Sequence, residues 1–230
     1  MCLIKYNYLY LNIINMNNFN KHFEIKTDLT QQDIESVYKL RKLAYIDESH
    51  SMMKPPVDKI KTDTYDKYSI ILLVQDKQNK IPIATFRMVI MNKNLKQLPL
   101  NEYSNDTGFE YDDKILPINK SAEISRFCIS KQMISTLPKS IIKYNSYIVE
   151  AMFDKIFALC VKYNIDILCC IMEDKLANKL SKCGYHFIKC GNAKFFLETN
   201  RYPHIMYFPH IKLHLNTMYN SKFKCIISKL

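Results

Sequence analysis

Apolar positions recur at helical spacing in two stretches and alternate, or run unbroken, in several shorter ones. Ile34, Val37, Leu40 and Ala44 follow one another at three- and four-residue steps, which predicts an amphipathic helix reaching about Tyr45. Thr30, three residues before Asp33, offers a weak capping arrangement at its start. Ile148, Met152, Ile156 and Leu159 mark the apolar stripe of a second helix, expected to run unbroken over residues 141–163. Between these stretches the period shortens to two. Short strands are expected at 23–26, 69–74, 81–91 and 121–130, with a hairpin turn at 76–80. Residues 165–171 are nearly all apolar and suit a strand buried on both faces. A short helix over 173–182 should stop at Gly184, followed by two brief strands at 185–188 and 193–197 around Gly191.

The polar stretches divide the chain. Residues 47–61, with Pro55-Pro56, read as a loop, and 92–119, with Pro99, Gly108 and Pro117, as a polar connection. The first 20 residues carry an apolar patch broken by Asn12, Asn15, Asn17 and Asn18, too short and too polar to span a membrane. The resulting expectation is a flexible extension over 1–20, one domain over 21–209, and a basic tail over 210–230.

Composition narrows the chemistry. Three glycines in 230 residues argue against a glycine-rich phosphate cradle. A formal charge of +11 favours an acidic partner: nucleic acid, anionic lipid or an acidic protein. Eight scattered cysteines contain no Cys-x-x-Cys pair, and the six histidines show neither zinc nor triad spacing, so no metal or permanently bound cofactor is expected. Such cysteine usage fits a reduced, cytoplasmic setting. No serine stands between nucleophile-elbow glycines.

The strand at 121–130 combines a carboxylate, a hydroxyl and a guanidinium within four positions. Strict alternation puts Glu123, Ser125 and Phe127 on one face and Ile124, Arg126 and Cys128 on the other. An edge strand with solvated charges is one reading. In a central strand these ions need partners or a function. Arg87, between Phe86 and Met88 in an apolar strand, raises the same demand. We therefore expect Arg87 and Arg126, on neighbouring strands, to share the carboxylates of Asp63, Asp66 and Glu123.

Glu123-x-Ser125-Arg126-Phe127 followed by an apolar pair resembles the signature strand of the acyl-homoserine-lactone (autoinducer) synthases. It equally resembles that of the N-acyl amino acid synthases and the PEP-CTERM/exosortase-associated acyltransferases. Arg41-x-x-x-Tyr45 is similar to the Arg-x-x-x-Phe pattern of the autoinducer synthases' first helix, and Asp63-x-x-Asp66 to the paired acids of these families. Arg201-Tyr202-Pro203 is similar to a late patch of the exosortase-associated group. The likeness covers roughly residues 23–207. It implies an α+β, GNAT-like fold with a central mixed, twisted sheet flanked by helices.

It also implies an N-acyltransferase that moves a fatty acyl group from an acyl carrier protein or acyl-CoA thioester, used as co-substrate, to an amino acid or related small amine. Direct transfer needs positioning, a base for the amine proton and donors for the oxyanion. Glu123 is the expected base, and backbone N–H groups near Phe127 and Cys128 the expected donors. Ser125 and Arg126 would orient the acceptor or the base. Arg41, Tyr45, Asp63, Asp66 and Arg87 would wall the acceptor site, and Phe86, Met88, Phe127 and Met152 would line the acyl cleft. Ordinary GNAT enzymes carry a glycine loop after this strand to hold coenzyme A. Here residues 131–143 contain no glycine but bring Lys131, Lys139 and Lys143, which fits docking of an acidic carrier protein.

Alternatives stay open: a homoserine-lactone synthase using S-adenosylmethionine, a conventional acetyl-CoA-dependent GNAT enzyme, or a basic nucleic-acid- or partner-binding protein. No nucleic-acid motif accompanies the charge. A monomer is expected, and peripheral contact with a membrane stays open.

Overall fold

The computed structural model describes residues 17–47, 64–95, 97–103, 116–196 and 199–207. Asp63, the loop over 48–63 and the tail beyond 207 lie outside the described residues. So does the first part of the N-terminal extension. Residues 17–22 are helical, and Phe19 is fully enclosed, its ring stacked 4.8 Å from that of Phe23. The folded part therefore starts before residue 21, because an apolar ring in the asparagine-rich stretch finds a place in the core.

One sheet organises the described residues. Its strands are β1 (Phe23–Lys26), β2 (Ser69–Asp76), β3 (Pro82–Ile90), β4 (Ser121–Ile129), β5 (Ile167–Met172), β6 (Ile188–Lys189), β7 (Lys194–Phe196) and β8 (Thr199–Tyr207). The order is β1-β2-β3-β4-β5-β8-β6, with β7 paired to β8. Every pairing is antiparallel except β4 with β5. The β2–β3 hairpin turns through Lys80 at φ 57°, while the Asp76 carboxylate accepts from the Asn79 N–H at 2.6 Å.

Helix α1 (Gln31–Lys42) starts at a full capping box. The Thr30 hydroxyl accepts from the Asp33 N–H and the Asp33 carboxylate accepts from the Thr30 N–H at 2.9 Å. It ends in a π-helical turn at Leu43–Asp47. The helical stretch expected over 141–163 is interrupted. After a separate short helix, α2 (Lys131–Ser135), it divides into α3 (Lys139–Ile142), a 3₁₀ turn at Asn145–Tyr147 and α4 (Ile148–Lys162). Asn145 and Ser146 compete for their own backbone and favour a break at this point. Helix α5 (Asp174–Lys182) closes as expected at Gly184, with φ 89°.

One further reading is corrected. The connection at 92–119 is not simply polar, since Leu98, Leu100 and Leu116 are fully buried and pack with Val89 and Cys169. Residues 199–207 form β8, between β5 and β6. Pro203 sits just past the two-residue pairing with β6, where its carbonyl still accepts from the Cys190 N–H.

The main core lies between the sheet and α4, around Leu72, Phe86, Met88, Ile124, Met152 and Ile156. A smaller cluster of Val37, Leu40, Ile71, Leu73 and Cys128 covers the opposite face beneath α1. Among the described residues no helix is long and apolar enough to cross a membrane.

Candidate active site

The centre of the site is an irregularity in β4. Thr85 of β3 pairs with Cys128 and Arg87 pairs with Ser125, so Phe86 alone faces both Arg126 and Phe127. That is a β-bulge, and Arg126 makes it by adopting φ 55°. A side chain with a Cβ is disfavoured in that region by about 1–2 kcal/mol. The extra residue resets the alternation. Ile124 and Phe127 both turn to the α4 side, whereas Cys128 turns to the α1 side with Leu73 and Leu40. Strict period-two reading had placed Phe127 with Glu123 and Ser125, and Cys128 with Ile124. One inserted position reverses both assignments.

Glu123 and Ser125 precede the bulge and keep the face that alternation gave them. There a chain of polar contacts crosses four elements. Asp66, in the 3₁₀ turn Asp66–Tyr68 before β2, accepts from Arg41 Nη1 at 2.9 Å, Arg41 Nη2 at 3.4 Å and Arg87 Nη1 at 3.0 Å. The other edge of the Arg87 guanidinium donates through Nε to Ser125 Oγ at 3.1 Å. Both arginines are sealed, with side-chain exposures of 1% and 2%, against 10% for Asp66. The expected pairing of Arg87 with Asp66 is present, and Arg41 of α1 joins it on the same carboxylate, while Asp63 lies outside the described residues. Tyr38 and Tyr65 lie under the two guanidinium groups, at 5.8 and 5.9 Å.

Glu123 is buried at 4% exposure, and its Oε2 accepts from the Leu100 N–H at 2.6 Å. Leu100 stands in the first turn of the 3₁₀ helix Pro99–Tyr103, where backbone donors lack helical partners and a carboxylate is a favoured acceptor. Nothing in the polar pattern of 92–119 announced this contact. The apolar Leu98-Pro99-Leu100 within it was the available signal. Tyr103, in the same turn, has its phenol pushed up by burial and then by Glu102, and Lys194 of β7 lies 4.6 Å over its ring. Arg126 and Glu123 both act electrostatically on Tyr103, which brings the two signature residues and β7 to one neighbourhood.

Glu123 also marks where β4 leaves β5. The parallel ladder joins Ser121 to Ile167, Ala122 to Leu168 and Glu123 to Cys169. β5 then continues against β8, while β4 continues against β3.

Tyr45, expected at the acceptor wall, donates its hydroxyl to the Phe127 carbonyl at 2.9 Å. Phe86, Met88 and Met152 are fully enclosed in the main core, so of the four residues expected to line an acyl cleft only Phe127 reaches a partly open position. Lys131, Lys139 and Lys143 are exposed on α2, α3 and the residue after α3. The thiols of Cys169 and Cys170, within β5, are pushed well up by burial and then by Glu123, which keeps them protonated and inert.

Residues 40–136 match the acetyltransferase (GNAT) domain family, a span that runs from the Arg41 helix through the bulge to the end of α2. No curated protein matches the sequence. Among solved structures, the acyl-homoserine-lactone synthase LasI aligns with a TM-score of 0.60 at 14% identity, over 81% of this chain and 90% of that one. FeeM, an N-acyl amino acid synthase from uncultured soil microbes, gives 0.56 at 10% identity, over 81% and 91%. BjaI, a CoA-dependent acyl-homoserine-lactone synthase solved with SAM and isopentyl-CoA, gives 0.57 at 11% identity, over 86% and 89%. The chain thus has the GNAT fold, with its mixed twisted sheet flanked by helices, in an arrangement shared with N-acyl amino acid and acyl-homoserine-lactone synthases.

Proposed function

We propose that this protein is an N-acyltransferase that moves a fatty acyl group from a thioester donor to the amino group of an amino acid or related small amine. The observation that carries the reading is the placement of Glu123, a buried carboxylate held from behind by a backbone N–H, at the point where β4 departs from β5. In the proposed reaction the acceptor nitrogen attacks the thioester carbonyl. Its proton passes to Glu123, directly or through one water. Backbone N–H groups around Phe127 and Cys128 receive the oxyanion, which collapses as the C–S bond breaks. The departing thiolate takes up the proton. Ser125 and Arg126 orient the acceptor or the base, and the wall of Arg41, Asp66 and Arg87, with Asp63 as a further member, fixes the acceptor.

Acyl carrier protein is the donor we favour. The exposed Lys131, Lys139 and Lys143 follow β4, in a segment without the glycines that a coenzyme A pyrophosphate needs for close backbone approach. The test incubates the purified chain with acyl carrier protein thioesters or acyl-CoA of varied length and a mixture of amino acids and amines, with products read by mass spectrometry. Amide formation by the wild type, and its loss in Glu123→Gln with an unchanged melting curve, is the expected result. Full turnover in Glu123→Gln refutes the assignment of the base. Turnover that ignores salt between about 0.05 and 0.5 M argues against electrostatic docking of the carrier.

A further inference from the structure

The bulge that places Arg126 and turns Phe127 is held by a side chain from another element. Tyr45 reaches it from the π-helical turn Leu43–Asp47, 82 residues earlier in sequence, and its hydroxyl donates to the Phe127 carbonyl at 2.9 Å. A bulge withdraws one residue from the regular ladder, and a backbone carbonyl so displaced needs another donor. The π turn has a purpose in this light. Widening the last turn of α1 by one residue changes the direction in which Tyr45 leaves the helix, and such turns recur at functional sites.

We propose that the Tyr45 hydroxyl is a positioning residue for acyl transfer: by clamping the Phe127 carbonyl it fixes the bulge so that the N–H groups following it stay aimed at the thioester. The inference rests on the proposed acyltransfer for its kinetic consequence, and on the structure alone for the clamp. Burial pushes the Tyr45 phenol well above its ordinary range, so it remains a protonated donor at every pH at which the reaction would run. The ring packs against the α1 cluster of Val37, Leu40 and Cys128, so phenylalanine would keep the packing and lose only the donor. The αL backbone at Arg126 supplies the reason a clamp is needed. An unfavourable conformation persists only where its surroundings over-determine it.

The experiment compares wild type with Tyr45→Phe in the full chain, with phenylalanine labelled at the carbonyl carbon. The clamp predicts an upfield move of the Phe127 carbonyl resonance and amide exchange at Phe127 and Cys128 at least tenfold faster. It also predicts kcat lowered about tenfold, which corresponds to about 1.4 kcal/mol, with KM for donor and acceptor unchanged within twofold. An unmoved carbonyl resonance overturns the clamp whatever the activity. A moved resonance with unchanged kcat, or with a change confined to KM, overturns the positioning role. Glu123→Gln serves as the control. It should abolish transfer without moving the Phe127 carbonyl, so failure of the acyltransferase reading shows itself as an inactive wild type with the clamp still intact.

Discussion

Replacing Asp66 by alanine strips the carboxylate from between two guanidinium groups that solvent barely touches. Arg41 and Arg87 have side-chain exposures of 1% and 2%, and the three contacts to Asp66 are 2.9, 3.4 and 3.0 Å. At an effective dielectric of 20 each attraction is worth about 4 kcal/mol at 4 Å, and most of that offsets the cost of taking the ions out of water. The intact triad is therefore close to neutral in net stability. Deleting its centre is not. It removes both attractions, keeps both desolvation costs and leaves two like charges facing each other, for an expected loss of about 3–5 kcal/mol. Against a total stability of roughly 5–15 kcal/mol that is a large share. At about 2–4 °C per kcal/mol for a chain of this size, the melting temperature should fall by roughly 6–20 °C. Urea unfolding of wild type, Asp66→Ala, Arg87→Met and the double variant measures the coupling directly. Asp66→Asn, which keeps an acceptor but no charge, should fall between wild type and alanine. A loss under about 1 kcal/mol in Asp66→Ala, or coupling to Arg87 indistinguishable from zero, would refute the reasoning, since a sealed ion triad cannot lose the carboxylate that both arginines share at so small a cost.

Arg126→Gly separates strain from function. Glycine meets φ 55° without the Cβ penalty, so melting should stay level or rise by a few degrees while acyl transfer is lost, and a joint loss of both would mean the guanidinium is structural. Glu123→Gln should keep an acceptor for the Leu100 N–H and the wild-type circular dichroism spectrum, while turnover drops by about 10²–10⁴. Thr30→Ala breaks the capping box of α1 at a cost of about 1 kcal/mol, read as a melting shift of about 2–4 °C. Alkaline stability follows from the buried thiols of Cys160, Cys169 and Cys170, which burial raises above the ordinary 9.0. Above pH 9 the unfolded chain sheds protons that the folded one keeps. Stability should therefore be level from neutral to about pH 9 and then fall by about 1.4 kcal/mol per pH unit for each thiol, less steeply in Cys160→Ala.

Much of this architecture was legible because patterning and function agreed along most of the chain. The α1 stripe, the capping box, the β2–β3 hairpin, the continuous apolar β5 and the Gly184 stop all appear where periodicity and turn chemistry put them. Glu123, Ser125 and Arg87 share a face as alternation required, with Arg87 opposite Ser125. What escaped the pattern has a common cause, a local geometry that breaks the period on which the reading depends. The inserted position at Arg126 exchanged the faces of Phe127 and Cys128, and arginine carries no mark of an αL residue as glycine would. The π turn redirected Tyr45 from a wall to a backbone carbonyl. The grip of Leu100 on Glu123 uses a main-chain N–H, to which side-chain identity is nearly blind. Residues 199–207 drew notice only for the Arg201-Tyr202-Pro203 likeness, and what makes them a strand is their pairing with β5 and β6, far away in sequence in the case of β5.

The bulge also explains why one strand can serve two chemically opposed surroundings. Before Arg126, alternate residues of β4 send Glu123 and Ser125 toward buried guanidinium and backbone donors, while Ala122 and Ile124 enter the main core. Had alternation continued, Phe127 would enter the polar side beside Arg87, burying an aromatic ring among ions, and Cys128 would displace it from the ring cluster at Phe153. With one residue inserted, Phe127 instead lies 6.4 Å from Phe153 on the apolar side. The strand thus passes from an ion-lined face to an aromatic one within three positions, at the level where its ladder with β5 has ended. The inserted residue keeps the ring with the apolar core on one side of the strand and the carboxylate with its donors on the other, and it does so with one strained arginine and a tyrosine to hold it.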